Sequence, residues 1–444
     1  MKAIKIGLWG LLAVLTGFWL MADSLLPEPM TWFSFRTPFV QYTGVLAMGA
    51  MSIAMILALR LPLVEQWLNG LDKSYRLHKW LGIAALMAAT LHWWWAKGTK
   101  WMVGWGWLEK PVRGPRGENQ LPALQDWLLS QRGLAETLGE WAFYGAAVLI
   151  IVALVKAVPY GFFRKTHTLM AAGYLVLAWH ALVLVKFEYW SQPIGWLMLL
   201  LIVPGVVSAV LVLARQVGKQ RKVKGHLAEL HHFADTGMLQ GTVALDGYWP
   251  GHSAGQFAFV TSNKKEGPHP YTIASAWDAK QKTLTFMAKA LGDWTRQLDG
   301  YLKPGMQITV EGPYGCFDFE DDKEHQIWIG AGVGITPFIA RLQLLAQHPD
   351  GRDIDLFYCT SDDDHELMAR LQREAEALGM RLHVVVTSRD GRLDADKIRQ
   401  QVPEWQDCSV WFCGPASFGK ALRKDFVAHG LASADIHQEL FEMR

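Results

Sequence analysis

The apolar residues of this chain are concentrated in its first half. Six long apolar segments occur before residue 218, and each is long enough to cross a hydrocarbon core about 30 Å thick. They cover approximately residues 4–22, 37–59, 79–96, 140–158, 168–186 and 194–214. The pattern predicts six transmembrane helices.

Beyond residue 218 the apolar runs shorten to the length of strands. Five short runs separated by turns fall between residues 240 and 319, which indicates a small antiparallel barrel. From about residue 326, strands alternate with helices, and this alternation predicts a parallel α/β sheet. The expected domains are therefore 1–218, 219–322 and 323–444.

The charges add an orientation, although the formal net charge of +2 is uninformative. Basic residues precede the first, third and fifth apolar segments and follow the sixth, so both chain termini are expected in the cytoplasm. These residues are Lys2, Lys5, Lys73, Arg76, Lys79, Arg164, Lys165, Arg215, Lys219, Arg221, Lys222 and Lys224. A cleavable signal peptide at residues 1–22 is the alternative, but its loss would leave five spans and place the second half outside.

Four cysteines occur, Cys316, Cys359, Cys408 and Cys413, and all lie in the predicted cytoplasmic half. Structural disulfides are not expected in that compartment. The cysteines lack the ferredoxin spacing C-x4-C-x2-C, so the sequence does not indicate an iron–sulfur cluster.

Four histidines lie within or beside predicted spans, His78 and His92 on the third and His167 and His180 on the fifth. A single buried histidine more often bonds a neighbouring helix, but four at matched depths favour a common function. The 14-residue separation on the third span corresponds to about 21 Å along a helix. Neutral imidazoles can ligate haem iron, so we predict two b-type haems, held by His78 with His167 and by His92 with His180.

The 13-residue separation on the fifth span raises a difficulty. At about 100° per residue, His167 and His180 leave a straight helix about 140° apart. We therefore expect that His167 precedes the regular helix, or that the helix is distorted near Gly173. A further cluster, His226, His231 and His232, lacks cysteine or carboxylate companions and is assigned to a solvated juxtamembrane linker.

Glycines mark a predicted nucleotide site in the last domain. Gly330, Gly332 and Gly334 stand where a strand hands over to a helix, so backbone N–H groups there can approach a pyrophosphate. The run is not the full G-x-G-x-x-G fingerprint, and glycine turns also occur for packing reasons.

Several ordered motifs resemble those of the ferric reductase and NADPH oxidase family of transmembrane flavocytochromes b. They are His269-Pro270-Tyr271-Thr272-Ile273-Ala274-Ser275, Gly292-Asp293-Trp294-Thr295, Glu311-Gly312-Pro313-Tyr314-Gly315, the run from Gly330 to Phe338, and Cys413-Gly414-Pro415. The four histidines also match that family's spacing. The resemblance implies a six-helix haem-binding bundle followed by a ferredoxin-reductase-like module, with an antiparallel β-barrel FAD domain and an α/β parallel-sheet NAD(P)-binding domain.

The resemblance also implies roles for single residues. Tyr271 packs on the isoalloxazine, Thr272 bonds the ring, Ile273 and Ser275 lie alongside, and His269, next to Pro270, lies near the phosphate or ribose. Gly292, Trp294 and Thr295 belong to the segment that meets the FAD pyrophosphate, whereas Thr336 and Pro337 complete the glycine loop. Phe441 covers the nicotinamide side of the flavin, and Cys413, with Gly414 and Pro415, borders the hydride-transfer site. Cys413 can alternatively be a small buried apolar residue.

The choice of nicotinamide depends on a predicted strand end. Ser388 and Arg389 follow a strand where relatives bind the 2′-phosphate, which favours NADPH. Asp362, Asp363 and Asp364 follow the preceding strand and would repel that phosphate.

The function expected from the resemblance is electron transfer from cytoplasmic NAD(P)H through FAD and two haems to an acceptor outside. A ferric chelate is favoured, attracted by Lys97, Lys100, Arg113 and Arg116 of the outer loop. Dioxygen, reduced to superoxide, is the alternative acceptor. The alternative class is a nucleotide-sensing membrane anchor or transporter without electron transfer. We expect a multi-pass plasma membrane protein, of a bacterial inner membrane, without a nucleic-acid partner.

Overall fold

The computed structural model describes residues 2–109, 122–155 and 157–439. It divides into two compact units. The first comprises Met1–Leu68 and Lys73–Val217, and the second comprises Asn69–Asp72 and Gly218–Met443. The first unit is helical, and the second contains two β-sheets.

The described helices of the first unit are α1 (Lys2–Leu20), α2 (Trp32–Leu57), α3 (Pro62–Leu68), α4 (Leu71–Gly104), α5 (Ala123–Ser130), α6 (Arg132–Leu154), α7 (Tyr160–Leu184) and α8 (Pro193–Leu213). Five of them, α1, α2, α6, α7 and α8, are long and apolar enough to cross a membrane. Helix α4 contains the third predicted span and has 34 residues, with charged residues only near its two ends, but it is not among these five. The third predicted span, residues 79–96, therefore stays a prediction.

Helix boundaries follow local chemistry. Thr31 caps α2 reciprocally with Ser34, so two N–H groups at that end are satisfied. Pro193 occupies the first turn of α8, where its missing N–H costs nothing.

Small residues let these helices approach one another closely. A Cβ added at Gly49 of α2 would lie 2.5 Å from the Leu15 side chain of α1. A Cβ at Gly205 of α8 would lie 2.1 Å from the Tyr174 hydroxyl of α7. Close approach of this kind is the usual basis of helix association in membranes, because apolar burial does not distinguish protein from lipid there.

The first sheet of the second unit has six antiparallel strands in the order β4-β3-β6-β1-β2-β5. These strands are β1 (Lys222–Phe233), β2 (Met238–Leu245), β3 (Phe257–Thr261), β4 (His269–Thr272), β5 (Thr283–Lys289) and β6 (Gln307–Tyr314). An isolated bridge between Ile273 and Phe286 brings the two sheet edges together. The short helix α9 (Leu298–Tyr301) precedes β6.

Strand β1 corrects one sequence prediction. His226, His231 and His232 lie within this 12-residue strand, not in a linker. Alternation in β1 buries Val223 and Leu227 and leaves the three histidines exposed, where each lies beside a separate carboxylate. No metal-binding group of three or more ligands occurs among the residues that the structure describes.

The second sheet is parallel, in the order β11-β10-β7-β8-β9. Its strands are β7 (His325–Ala331), β8 (Asp353–Thr360), β9 (Arg381–Val386), β10 (Ser409–Cys413) and β11 (Ile436–Gln438). The helices between them are α10 (Thr336–Gln347), α11 (His365–Ala377), α12 (Thr387–Asp390), α13 (Ala395–Gln401) and α14 (Ala416–Ala428). The predicted alternation of strands and helices is confirmed.

Helices cover both faces of this sheet, as parallel strands require. Trp328 of β7 packs with Phe338 of α10 and Leu367 of α11 on one face. Ile327 and Ile329, the neighbours of Trp328, pack on the other face with residues of α13 and α14. Because all strands run in the same direction, the loops that follow them meet at the carboxyl ends of the strands, on one side of the sheet.

A buried carboxylate stabilises the opposite side of the sheet, at the amino ends of the strands. Asp355 of β8 is 1% exposed and accepts hydrogen bonds from His325 Nε2 at 2.8 Å, His383 Nε2 at 2.7 Å and Arg381 Nε at 2.9 Å. Burial by itself would raise the pKa of Asp355, but these donors outweigh burial and hold the pKa well below its usual value.

We expect Asp355→Asn to lower the free energy of unfolding of this domain by about 1–3 kcal/mol at pH 7, because buried donors lose a charged acceptor. A depressed carboxylate pKa stabilises the fold above pH about 4 and loses that contribution as pH falls toward the folded-state pKa. Thermal unfolding should therefore show the largest difference between variant and wild type near neutrality and a shrinking one below pH 4. Asp353→Asn, half-exposed beside the same Arg381, is the matched control and should change stability little.

Candidate functional site

The four membrane histidines lie in two pairs in the helical unit. The ring centres of His78 and His167 are 5.8 Å apart, and those of His92 and His180 are 6.2 Å apart. Each pair joins α4 to α7. These are the only histidines before residue 218 in the sequence.

The expected irregularity of α7 is wrong. Helix α7 begins at Tyr160, seven residues before His167, and continues through Gly173 to Leu184. In this regular helix the side chains of His167 and His180 leave α7 about 140° apart, so the two rings lie on different sides of it. His180 is turned toward α6, whereas the ring of His167 packs beside Phe163 on its own helix.

Backbone carbonyls orient three of the four rings. His78 Nδ1 lies 2.9 Å from the Ala54 carbonyl, His92 Nδ1 lies 2.8 Å from that of Val40, and His180 Nδ1 lies 2.8 Å from that of Ala135. A carbonyl only accepts, so Nδ1 carries the proton and Nε2 keeps its lone pair.

The fourth ring differs from these three. His167 Nδ1 is buried and has no hydrogen-bond partner among the described residues. No hydrogen bond at Nδ1 therefore fixes which nitrogen of the His167 ring carries the proton.

Both pairs fit the axial ligation of a haem. A metal–imidazole bond is about 2 Å long and the ring centre lies about 1 Å behind the nitrogen, so imidazoles sharing one metal have centres about 6 Å apart. Gly82 on α4 and Gly173 on α7, which lie between the paired histidines along each helix, have no atom within 4 Å of an added Cβ. Neutral nitrogen ligands with an oriented outer nitrogen suit iron in a b-type haem.

The predicted flavin motif forms β4 and the turn after it. Thr272 is 8% exposed, and Ile273 is fully buried. Tyr271 is half-buried and packs its ring on Phe286, and burial raises the pKa of its hydroxyl, which stays protonated. The ring of His269 stacks on Trp294 with centres 6.0 Å apart.

Two further predicted flavin residues are tied into local turns. The Ser275 hydroxyl accepts the Thr285 N–H at 3.1 Å. The Thr295 hydroxyl accepts the N–H groups of Leu291 and Gly292 at 3.0 and 2.9 Å. The second motif is thus a compact turn that places Trp294 against His269, the first residue of β4, which precedes Pro270.

The glycine loop packs directly against the loop that follows β10. A Cβ added at Gly334 would lie 2.2 Å from the Cys413 carbonyl, and one at Gly414 would lie 2.7 Å from Ala331 Cβ. Gly332 has a φ of 58°, in the left-handed region that glycine adopts without strain. Thr336 and Pro337 then begin α10, and Pro415 precedes α14. The structure therefore brings both predicted nucleotide loops together.

Cys413 ends β10 and is 1% exposed. Burial, and to a smaller extent Glu439, raises the pKa of its thiol well above the usual value, so it is uncharged. Phe441, predicted to cover the flavin, lies outside the described residues.

Glu439 is a residue that sequence analysis did not single out. It is 4% exposed, and its Oε1 would lie 3.0 Å from a Cβ at Gly315. A buried acid directly after β11, beside Cys413 and the Gly315 motif, is a candidate site residue. Its signal in the sequence is weak, because β11 has only three residues.

The predicted determinants of nicotinamide choice are already paired. Arg389, with Ser388 in α12, donates to Asp390 from Nε at 2.9 Å and from Nη2 at 3.1 Å, and its Nη1 lies 3.8 Å from Asp363. Asp362 accepts from Lys289 at 2.7 Å, and Asp364 caps α11. The three aspartates thus have structural partners.

Comparisons with known proteins agree with this architecture. The family described as "Ferric reductase like transmembrane component" matches residues 43–178, "FAD-binding domain" matches 246–318, and "Oxidoreductase NAD-binding domain" matches 328–424. The first match contains His78, His92 and His167 and ends two residues before His180.

Similar proteins cover parts of the chain. An NADPH oxidoreductase of Mycobacterium tuberculosis is 30% identical over 44% of this chain and 52% of its own length. Ferric reduction oxidase 5 of Arabidopsis thaliana is 30% identical over 25% of this chain and 17% of its own length. The FAD/NAD-binding domain of nitric oxide dioxygenase from Vibrio cholerae is 20% identical with a TM-score of 0.43, over 49% of this chain and 97% of that one. The chain spans about half or less of the curated relatives it matches first.

A ferric-reductase-like membrane component, an FAD-binding domain and an NAD-binding domain in this order define a membrane oxidoreductase. In its membrane part the chain is similar to ferric reductases, and in its second half it is similar to FAD- and NAD-binding oxidoreductases.

Proposed function

We propose that the protein carries electrons across a membrane, from NAD(P)H on the cytoplasmic side to a ferric chelate on the other side. The observation that carries the proposal is the pair of histidine pairs joining α4 to α7 in a membrane unit. The same chain supplies the FAD- and NAD-binding domains that such transfer needs.

The residues of the chain divide the task between them. Bound FAD would accept hydride and release single electrons, which two haems held by the histidine pairs would pass on. Tyr271 and Thr272 would hold the flavin ring, the Gly292–Thr295 turn its phosphates, and the loops at Gly330 and Cys413 the nicotinamide nucleotide. Carbonyl bonds at Nδ1 would keep His78, His92 and His180 in the ligating tautomer.

After the predicted topology, we call His92 with His180 the outer pair and His78 with His167 the inner pair. A cation near the outer pair supports an anionic acceptor. Of the four residues predicted to attract it, Lys97 and Lys100 are paired with Glu140 and Glu136, and Arg113 and Arg116 lie outside the described residues. Arg36 of α2 instead donates to the carbonyls of Trp95 and Ala96, one helical turn past His92. No carboxylate lies within 4 Å of Arg36 among the described residues. Glu136, whose charge acts on Arg36, is also paired with Lys100 and Arg132, so the cations of this region together can attract an anionic chelate.

The function is tested on membranes that contain the full chain. We expect a reduced-minus-oxidised spectrum of a b-type haem, with NAD(P)H-dependent capture of Fe(II) that superoxide dismutase does not change. Iron reduction that disappears with dismutase would assign dioxygen as the acceptor. Absence of a haem signal in haem-replete membranes would instead support a nucleotide-sensing anchor or transporter.

We also propose that Arg389 leaves Asp390 to bind the 2′-phosphate of NADPH. Arg389→Ala should raise KM for NADPH roughly tenfold, which corresponds to the loss of one charge-assisted hydrogen bond. KM for NADH should stay within about twofold, since NADH lacks that phosphate. Steady-state kinetics with both nucleotides measures the difference, and the exposed Arg392→Ala is the control. An equal loss with both nucleotides would remove this role from Arg389.

A further inference from the structure

A glycine of a neighbouring helix lies against each ring of the outer histidine pair. A Cβ added at Gly139 of α6 would lie 1.9 Å from His180 Nδ1, and one at Gly44 of α2 would lie 3.2 Å from His92 Nδ1. The first distance excludes any side chain unless the ring moves. The second is a tight contact that a small shift could relieve.

The same arrangement occurs at both rings. His180 bonds the carbonyl of Ala135, four residues before Gly139, and His92 bonds that of Val40, four residues before Gly44. In an α-helix the N–H of residue i+4 takes one lone pair of carbonyl i, and the side chain of residue i+4 stands beside that carbonyl. Glycine at this position leaves room for the imidazole ring to reach the same carbonyl, which at Val40 also lies 3.2 Å from the Thr43 hydroxyl.

The inner pair is built differently. His78 bonds the carbonyl of Ala54 in the last turn of α2, where the residue four places on is Ala58, at the end of the helix. His167 has no Nδ1 partner among the described residues. Only the outer pair, therefore, has both rings seated on a glycine in the middle of a neighbouring helix.

We propose that Gly139, and more weakly Gly44, are positioning residues for the outer haem, which fix the tautomer and orientation of His180 and His92. The proposal rests on the proposed haem function. Each glycine acts through its histidine and does not touch iron. Its removal should change the outer haem and leave the inner haem in place.

Gly139→Ala is the central variant, with Gly145→Ala as its matched control. Both positions lie in α6, but a Cβ at Gly145 would meet no atom within 4 Å. Alanine favours a helix more than glycine does, so helix propensity alone predicts that neither variant is harmed. A defect confined to Gly139→Ala must then come from the displaced imidazole.

The full chain is purified from haem-replete membranes, and its haem content, low-spin electron paramagnetic resonance signals and carbon monoxide binding are measured. For Gly139→Ala we expect loss of one of two low-spin signals, with either about half the haem or a new carbon-monoxide-binding haem. Where the outer haem is retained, added imidazole should restore the missing low-spin signal, which a purely structural defect would not allow. Gly145→Ala should match the wild type.

Gly44→Ala keeps the proposal testable if Gly139→Ala does not fold. At this milder position both haems should stay bound while one low-spin signal shifts. If the spectra of Gly139→Ala match those of the wild type, the positioning role is overturned. If Gly139→Ala does not fold, the same outcome for Gly44→Ala overturns it. A wild-type protein without a b-type spectrum would instead overturn the proposed function itself.

Discussion

His92→Leu is expected to stop electron transfer to the outer acceptor while hydride transfer from NAD(P)H to the flavin continues. Leucine has a similar volume but no nitrogen, so the pair with His180 would lose one of its two ligands. His92 lies in the helical unit, whereas the FAD- and NAD-binding domains match residues 246–318 and 328–424. Ferric chelate reduction should fall at least about 100-fold, since a missing relay closes the path rather than weakening a contact.

The measurement compares two acceptors in the same membranes. Reduction of an impermeant ferric chelate reports the full path, and reduction of a soluble dye reports the flavin alone. Met87→Leu is the control on α4, because Met87 is 64% exposed and lies between the two histidines in sequence. Unchanged chelate reduction by His92→Leu would exclude His92 as a ligand.

Gly334→Ala is expected to have a comparable effect at the other end of the path. The added methyl group would fall 2.2 Å from the Cys413 carbonyl, which is backbone and cannot rotate away. The glycine loop must therefore separate from the loop after β10, where the nucleotide is expected to bind. We expect kcat/KM for NAD(P)H to fall about 100-fold, or about 2.7 kcal/mol, with FAD still bound.

Stopped-flow reduction of the flavin by NAD(P)H gives this rate directly. Dithionite should still reduce the flavin and any haem of Gly334→Ala, because the lesion is limited to the nucleotide. Gln347→Ala, an exposed change at the end of α10, is the control. A normal rate of flavin reduction would show that the two loops can separate without loss of the site.

Long apolar runs and strand-helix alternation were sufficient to predict most of the architecture, because burial periodicity depends only on local sequence. Strand β1 was missed for a physical reason. Its outward face carries Lys222, Lys224, His226 and His232, so the segment resembles a polar linker unless its inward residues Val223 and Leu227 are seen to pack in a sheet. The sequence predicts that the aspartates at 362–364 repel a 2′-phosphate, but it does not show their partners, because residues such as Lys289 lie far away along the chain.

The sequence by itself predicted the order of the domains, the two histidine pairs and the motifs of the FAD and NAD domains. Only the tertiary structure decided how a regular α7 presents His167 and His180 to α4, and which ring nitrogens are already bonded. It also decided that the rings of the outer pair rest on Gly139 and Gly44. Helical spacing fixes where a side chain leaves its own helix, but the neighbouring backbone decides where the ring can rest and which nitrogen stays free.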